Sequence, residues 1–169
     1  MKAYLLAFLA LASCSLGREA SGSAELRAAT DAFYRWYFSR ERGALPSDAD
    51  MQSLRPIASV RLLDALDRAR AAERRHTAGV PPGIKPLTIE GDTFSDIYEG
   101  ATDYTIGALQ ATRDRGWVAV HLRYRPHKTV EAEWTDRLQF IRNDGRWVLD
   151  DVLRASRGSL FATLNAYAQ

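Results

Sequence analysis

Hydrophobic and polar positions along this chain change their period once, near the middle. From Ala24 onward Leu26, Ala29, Phe33, Trp36 and Tyr37 recur at the spacing of one helical face and Gly43 supplies a stop, so a helix is predicted there. Ser47, followed three residues later by Asp50, has the form of a cap for a short second helix. Pro56 fits poorly inside a helix and well at the start of one, which places a third helix at about 56–76. That helix would bury Ile57, Val60, Leu63 and Leu66 and expose Asp64, Arg68 and Arg75. Its last turns carry Arg70, Arg74, Arg75 and His76, cations at the negative end of the helix dipole.

Residues 77–90, with Gly79, Pro81, Pro82, Gly83 and Pro86, read as a long connection, either a flap or a crossover. Beyond it the period becomes two. Val118, Val120, Leu122 and Tyr124 alternate with Ala119, His121, Arg123 and Arg125. Trp134, Asp136, Leu138 and Phe140 share a face of the next run, and Asn143-Asp144-Gly145 is a turn signal. The strand after it sends Trp147, Leu149, Asp151 and Leu153 to one side. With 103–113 as a first strand, these runs make a four-stranded antiparallel meander, and 159–167, carrying Leu160, Phe161 and Leu164, reads as a closing helix. The expected fold class is α+β: N-terminal helices packed on one face of a curved four-stranded antiparallel sheet, with a C-terminal closing helix. The other face must be wet or matched by a partner.

The N-terminus stands apart from this pattern. Met1 and Lys2 precede an apolar run over 3–12, which ends in Leu11-Ala12-Ser13-Cys14. The run is too short to span a bilayer, which takes about 20 apolar residues. It resembles a bacterial lipoprotein signal. The resemblance implies that Cys14 becomes the lipidated N-terminus, and that Ser15, standing where an aspartate would hold the protein in the inner membrane, directs it to the outer one. An ordinary secretory signal cut near Ala12, with Cys14 a free thiol, is the alternative. Residues 15–23 are small and polar and read as a tether. The expected organisation is therefore a signal peptide at 1–13, a lipidated tether at 14–23 and one α+β domain at 24–169.

Composition narrows the function classes. The net charge of +2, lowered by one when Lys2 leaves with the signal, gives no strong basic stripe and argues against nucleic acid as a partner. A single cysteine excludes an internal disulfide, so an exported domain must be held by its core alone. With 46% hydrophobic residues and four tryptophans it has the material.

Three segments carry a family likeness: Phe33-Tyr34-Arg35-Trp36-Tyr37, Gly91-Asp92-Thr93-Phe94, and Gly145-Arg146-Trp147-Val148-Leu149-Asp150-Asp151-Val152. Over 26–167 the chain resembles the nuclear transport factor 2-like superfamily, and within it small bacterial lipoproteins known only as a domain of unknown function. The resemblance implies a cone of helices and bent antiparallel sheet. Some members of the superfamily are isomerases, dehydratases or hydrolases, and many are binding or dimerisation modules, so fold alone chooses no function. It supplies no catalytic residues for this branch.

The residues themselves show no nucleophile elbow, zinc-binding His-Glu-x-x-His or phosphate loop, and no second cysteine, so neither metal nor cofactor is expected. His121 would need a pocket and an orienting carboxylate to act as a base; its plainer place is a half-exposed sheet face. Asp136 and Asp151 share the apparent core parity, where a carboxylate is costly unless paired. With Tyr124 and Trp134 they form the candidate pocket. Pointing into one cone, the two aspartates would share a proton and serve as an acid–base pair. The structural alternative is that each anchors helix to sheet, for example through Arg35 or Tyr34. Tyr34 and Phe38 fall partly off the core stripe and form the candidate interface. The arginine-rich end of the third helix is a solvated face or a weak attractor of anionic lipid or acidic protein.

The function these readings favour is an envelope-anchored lipoprotein at the periplasmic face of the outer membrane. It would act as a non-enzymatic protein-binding domain, in one form an immunity or inhibitor protein. Its partners would be the membrane, through Cys14, and a protein of the envelope. The alternative is a small-molecule binder or small enzyme using the cone pocket. A cone filled by Trp134, Trp147 and Phe140 favours the first, a roomy polar cavity the second.

Overall fold

The computed structural model describes residues 5–40, 45–81, 83–127 and 129–169, with side chains described from residue 21 onward. Helix α1 (Leu5–Ser39) begins well before Ala24, its backbone continuing through the stretch expected as signal and tether. The side chains of that stretch, Cys14 included, lie outside the described residues, as does the expected stop at Gly43. Among the described residues no helix is long and apolar enough to cross a membrane.

Leu26, Thr30, Phe33, Tyr34, Trp36 and Tyr37 along α1, and Arg40 just beyond its end, are buried at helical spacing, which turns one stripe of the helix onto the sheet. Helix α2 (Asp48–Leu54) has a full capping box: Asp50 N donates to Ser47 Oγ at 3.2 Å and Ser47 N to Asp50 Oδ2 at 2.9 Å. Trp36 Nε1 docks α1 on α2 by donating to Asp50 O at 3.2 Å and Ser53 Oγ at 3.1 Å. Helix α3 (Val60–Ala78) starts later than Pro56 because the residues before it pair with a strand. Leu149 N donates to Ile57 O and Ser59 N to Leu149 O, both at 2.8 Å. Val60 is consequently exposed, not buried, and the apolar stripe of α3 runs through Leu62, Leu63, Leu66 and Ala69.

Strands β1 (Asp103–Ala111), β2 (Arg115–Tyr124), β3 (Ala132–Asn143), β4 (Arg146–Arg154) and β5 (Gly158–Ser159) form a five-stranded antiparallel sheet in chain order, followed by α4 (Leu160–Tyr167). Among the described residues the fold is α+β with four helices; the sheet has one strand more than expected because the two-residue β5 pairs with the end of β4. One face carries the core, in rungs such as Leu109–Val118–Leu138–Val152 and Gly116–Phe140–Leu149. A Cβ on Gly116 would come within 2.8 Å of the Leu26 side chain, so glycine there lets α1 approach the sheet.

Two bulges break the alternation. In β1 the register slips between Ile106 and Leu109. In β4 Gln139 faces Asp151 while Phe140 faces Leu149, which leaves Asp150 without a partner in β3. Everything after Asp150 therefore changes face: Leu149 and Val152 both point to the core, and Asp151 joins Gln139 and Trp117 on the other side.

Candidate functional site

Asp136 sits on the core face of β3, opposite Val120, and is 1% exposed. Its Oδ2 accepts from Trp134 Nε1 at 3.1 Å and its Oδ1 from Ala155 N at 2.9 Å, which ties β3 to the turn after β4. Burial pushes the carboxyl up to about 6, against the pull of those two bonds, with Asp96 adding to the rise and Arg154 opposing it. Arg154, equally buried, donates to Thr93 O at 3.2 Å, Gly158 O at 3.3 Å and Thr163 Oγ1 at 2.6 Å. Burial lowers its pKa. Neither of the anchors expected for Asp136 bonds to it. Arg35 is exposed, and Tyr34 lies near enough to feel its charge, its phenol pushed well up by burial first and by Asp136 second.

Asp151 belongs to the opposite face, contrary to its sequence parity, because of the Asp150 bulge. Its Oδ2 accepts from Ser159 Oγ at 2.6 Å and its Oδ1 from Val152 N at 2.8 Å and Phe161 N at 3.0 Å, so it organises the start of α4. The acid–base pair that Asp136 and Asp151 would make in one cone does not form: the register puts them on opposite faces of the sheet, and each anchors structure instead. Asp150 is held by Arg61, with Nε to Oδ1 at 3.1 Å and Nη2 to Oδ2 at 2.6 Å, and by Ser59 Oγ at 2.7 Å. Tyr124 lies at the end of β2 opposite Ala132, away from both aspartates. Of the candidate pocket residues the fold joins only Trp134 and Asp136.

The core face beneath α1 is filled. Phe140 and Trp147 are 2% and 6% exposed, and both pack in the same apolar cluster as Phe33 and Trp36. Trp134 is half-buried against that cluster. Hollows lie at the surface instead: one of 240 Å³ along Gln110, Trp117 and Gln139, one of 280 Å³ beside His121, Glu133 and Trp134, one of 650 Å³ at Asp103, Arg125 and His127 and one of 580 Å³ between Glu73 and Ile89. Asp136, Asp151 and Tyr124 line none of these four. His121 is exposed, and its Nδ1 shares a hydrogen with Thr135 Oγ1 at 2.8 Å, a hydroxyl where a base would need a carboxylate.

The two candidate interface aromatics part company. Tyr34 is 3% exposed and stacks on Tyr104 at 4.3 Å, which makes it core. Phe38 is 37% exposed and closes the outer end of that stack. Tyr104 donates to Asp31 Oδ1 at 2.7 Å, and burial followed by that bond pushes its phenol up to about 12.

The segment 92–96 does more than its sequence announced. Asp92 pairs with Arg40 at 3.1 Å and accepts from Phe94 N at 2.8 Å. Asp96 accepts from Ser156 N and Arg157 N at 3.1 and 3.0 Å, and Arg157 Nη1 donates back to Asp92 O and Ser95 O at 3.3 Å each. This loop thus clamps the end of α1 to the turn between β4 and β5. The signal available was the run of short polar residues around Phe94, the composition of a hydrogen-bonded loop.

No family model and no curated protein matches the chain. Among solved structures, the solution structure of a SEC-C motif containing protein from Rhodopseudomonas palustris is similar at 17% identity, covering 63% of this chain and 67% of that one with a TM-score of 0.35. A likeness at that level carries no argument about function.

Proposed function

We propose that the chain is an envelope-anchored bacterial lipoprotein, held through Cys14 at the periplasmic face of the outer membrane. Its domain, of the nuclear transport factor 2-like kind, works as a non-enzymatic protein-binding module. The observation that carries the non-enzymatic reading is the separation of Asp136 and Asp151 by the sheet, each with both carboxylate oxygens engaged by structural donors. General acid–base work needs a titratable group within reach of substrate, and the core face offers a buried carboxylate beneath packed aromatics. The anchoring reading is supported by Leu11-Ala12-Ser13-Cys14 behind a short apolar run. The helices-then-meander order supports the superfamily reading, and an immunity or inhibitor protein is the specific form we favour.

Native mass spectrometry of the full chain, extracted from its own envelope in mild detergent, tests this. A stoichiometric protein companion is expected. An added small-molecule mass with no protein companion would overturn the reading in favour of a ligand-binding cone.

A further inference from the structure

Trp117 stands half-buried on the face of the sheet where β2 and β3 leave His121, Glu133, Thr135 and Arg137 exposed. The charge left without an ion pair on the strands around it has one sign. The Arg137 guanidinium lies 4.3 Å over the Trp117 ring. Arg115 follows in the next rung, beside half-buried Ile141, and Arg146 lies at the start of β4 two positions before Val148, in the same rung. Among the described residues none of these three arginines makes an ion pair.

The carboxylates on the strands of this face are engaged. Asp103 and Glu133 hold Arg123 at 3.1 Å each. Asp150 is neutralised by Arg61, and Asp151 accepts from Ser159 Oγ and Phe161 N. Of the turn acids beside the face, Asp114 lies 4.0 Å from Arg113, and Asp144 is exposed.

The 240 Å³ hollow runs across these rungs, lined by Trp117, Gln110, Gln139 and Arg115 and, on the β4 side, by Asp150, whose charge Arg61 neutralises at 2.6 Å. Gln110 Oε1 accepts from Trp117 Nε1 at 3.0 Å, which turns the oxygen inward and leaves the amide N–H groups as donors. A hollow with an aromatic floor, amide donors and guanidinium groups at its rim matches a carboxylate carried on an apolar stem.

We infer that this face binds an acidic segment of a partner polypeptide, its carboxylates meeting Arg115 and Arg137 and one side chain entering the hollow beside Trp117. The assignment rests on the protein-binding reading above and names the chemistry of the partner. A lipid surface fits less well: Arg137 is held over the Trp117 ring, and the apolar residues between the cations are half-buried instead of projecting.

The test is a titration of the full chain in non-ionic detergent with poly-L-glutamate, read at the Trp117 indole N–H resonance, which Trp117→Phe identifies. Saturable binding that moves this signal is expected. Arg115→Gln with Arg137→Gln should weaken it by about tenfold or more, while Arg74→Gln with Arg75→Gln at the end of α3 leaves it unchanged. Absence of binding, equal binding by the Arg115/Arg137 variant, or binding of phosphatidylglycerol vesicles without poly-L-glutamate overturns the assignment. A protein companion in native mass spectrometry that the Arg115/Arg137 variant retains equally sinks this face and spares the protein-binding reading. A chain without any companion sinks that reading, whatever the titration gives.

Discussion

Arg40 donates through Nη2 to Asp92 Oδ2 at 3.1 Å, and only 1% and 2% of the two side chains remain open to water. The rings of Trp36, Tyr37 and Phe94 surround the guanidinium at 5.5, 5.8 and 5.2 Å. Asp92→Asn removes the carboxylate from a buried ion pair and should cost about 3–5 kcal/mol in urea unfolding. Arg40→Met combined with Asp92→Leu should cost less than the sum of the single changes. A single variant within about 1 kcal/mol of wild type would show that the pair does not hold the loop.

Asp136 gives the fold a pH dependence of unusual sign. Its carboxyl titrates at about 6 because burial disfavours the charged form, against roughly 4 in an unfolded chain. The folded chain binds this proton more tightly, so the group favours the fold fully below about pH 4, and that contribution is lost as the pH rises through about 6. The unfolding free energy of wild type minus that of Asp136→Asn should fall by an amount on the order of 3 kcal/mol across that window. A carboxyl NMR titration of Asp136 with an ordinary aspartate midpoint would refute it.

Gly100 and Gly145 share a left-handed backbone, with φ of +77° each, and differ in what surrounds them. A Cβ on Gly100 would stand 2.6 Å from the Tyr37 hydroxyl and 3.0 Å from Asp92 Oδ2, whereas Gly145 has nothing within 4 Å. Gly145→Ala should cost about 1 kcal/mol in backbone strain alone. Gly100→Ala adds a clash of roughly 1–3 kcal/mol, so thermal melting should separate the two clearly; equal melting temperatures would contradict the packing described here.

Ser59 caps α3 by accepting from Leu62 N at 3.1 Å and also donates to Asp150 Oδ1 at 2.7 Å. Ser47 is an exposed cap that serves α2 alone. Ser59→Ala should therefore cost about 2 kcal/mol and Ser47→Ala about 1 kcal/mol. The reverse order in denaturant midpoints would count against the Ser59–Asp150 link.

If Cys14 carries lipid, cells fed radiolabelled palmitate should yield labelled protein from the wild-type gene and none from Cys14→Ser. Label persisting in Cys14→Ser would exclude this anchor.

The long strands were legible because Val118, Val120, Leu122, Leu138 and Phe140 alternate without interruption, and period two has one structural meaning when a single face is buried. Ser47 and Asp50 were legible because a capping box is a local device. The face of Asp151 was not, since a bulge at Asp150 costs the sequence nothing visible: two adjacent aspartates fit either register. Counting parity through the bulge put Asp151 beside Asp136 and suggested an active site that the sheet divides. The sequence sets the start of α3 too early for a related reason. Pro56 is a good first helical residue in isolation, but Ile57 and Ser59 satisfy Leu149 across the fold, and a long-range pairing outweighs a local preference. The outer-face hollow at Trp117 is invisible in the sequence because its lining comes from four strands, and nothing local marks their convergence.

Leu149 is where the beginning and end of the domain meet. Its outer edge takes Ala58 as a parallel neighbour, and the adjacent Ser59–Asp150 bond spans 91 positions of sequence. The helices leave the ribosome first, yet the strands they bury against are made afterwards, and this contact cannot form before Leu149 itself has been made. Half-made, the chain therefore has little to lock onto. If the chain is exported as proposed, that property serves it: it stays pliable in transit and closes once its own last strand arrives.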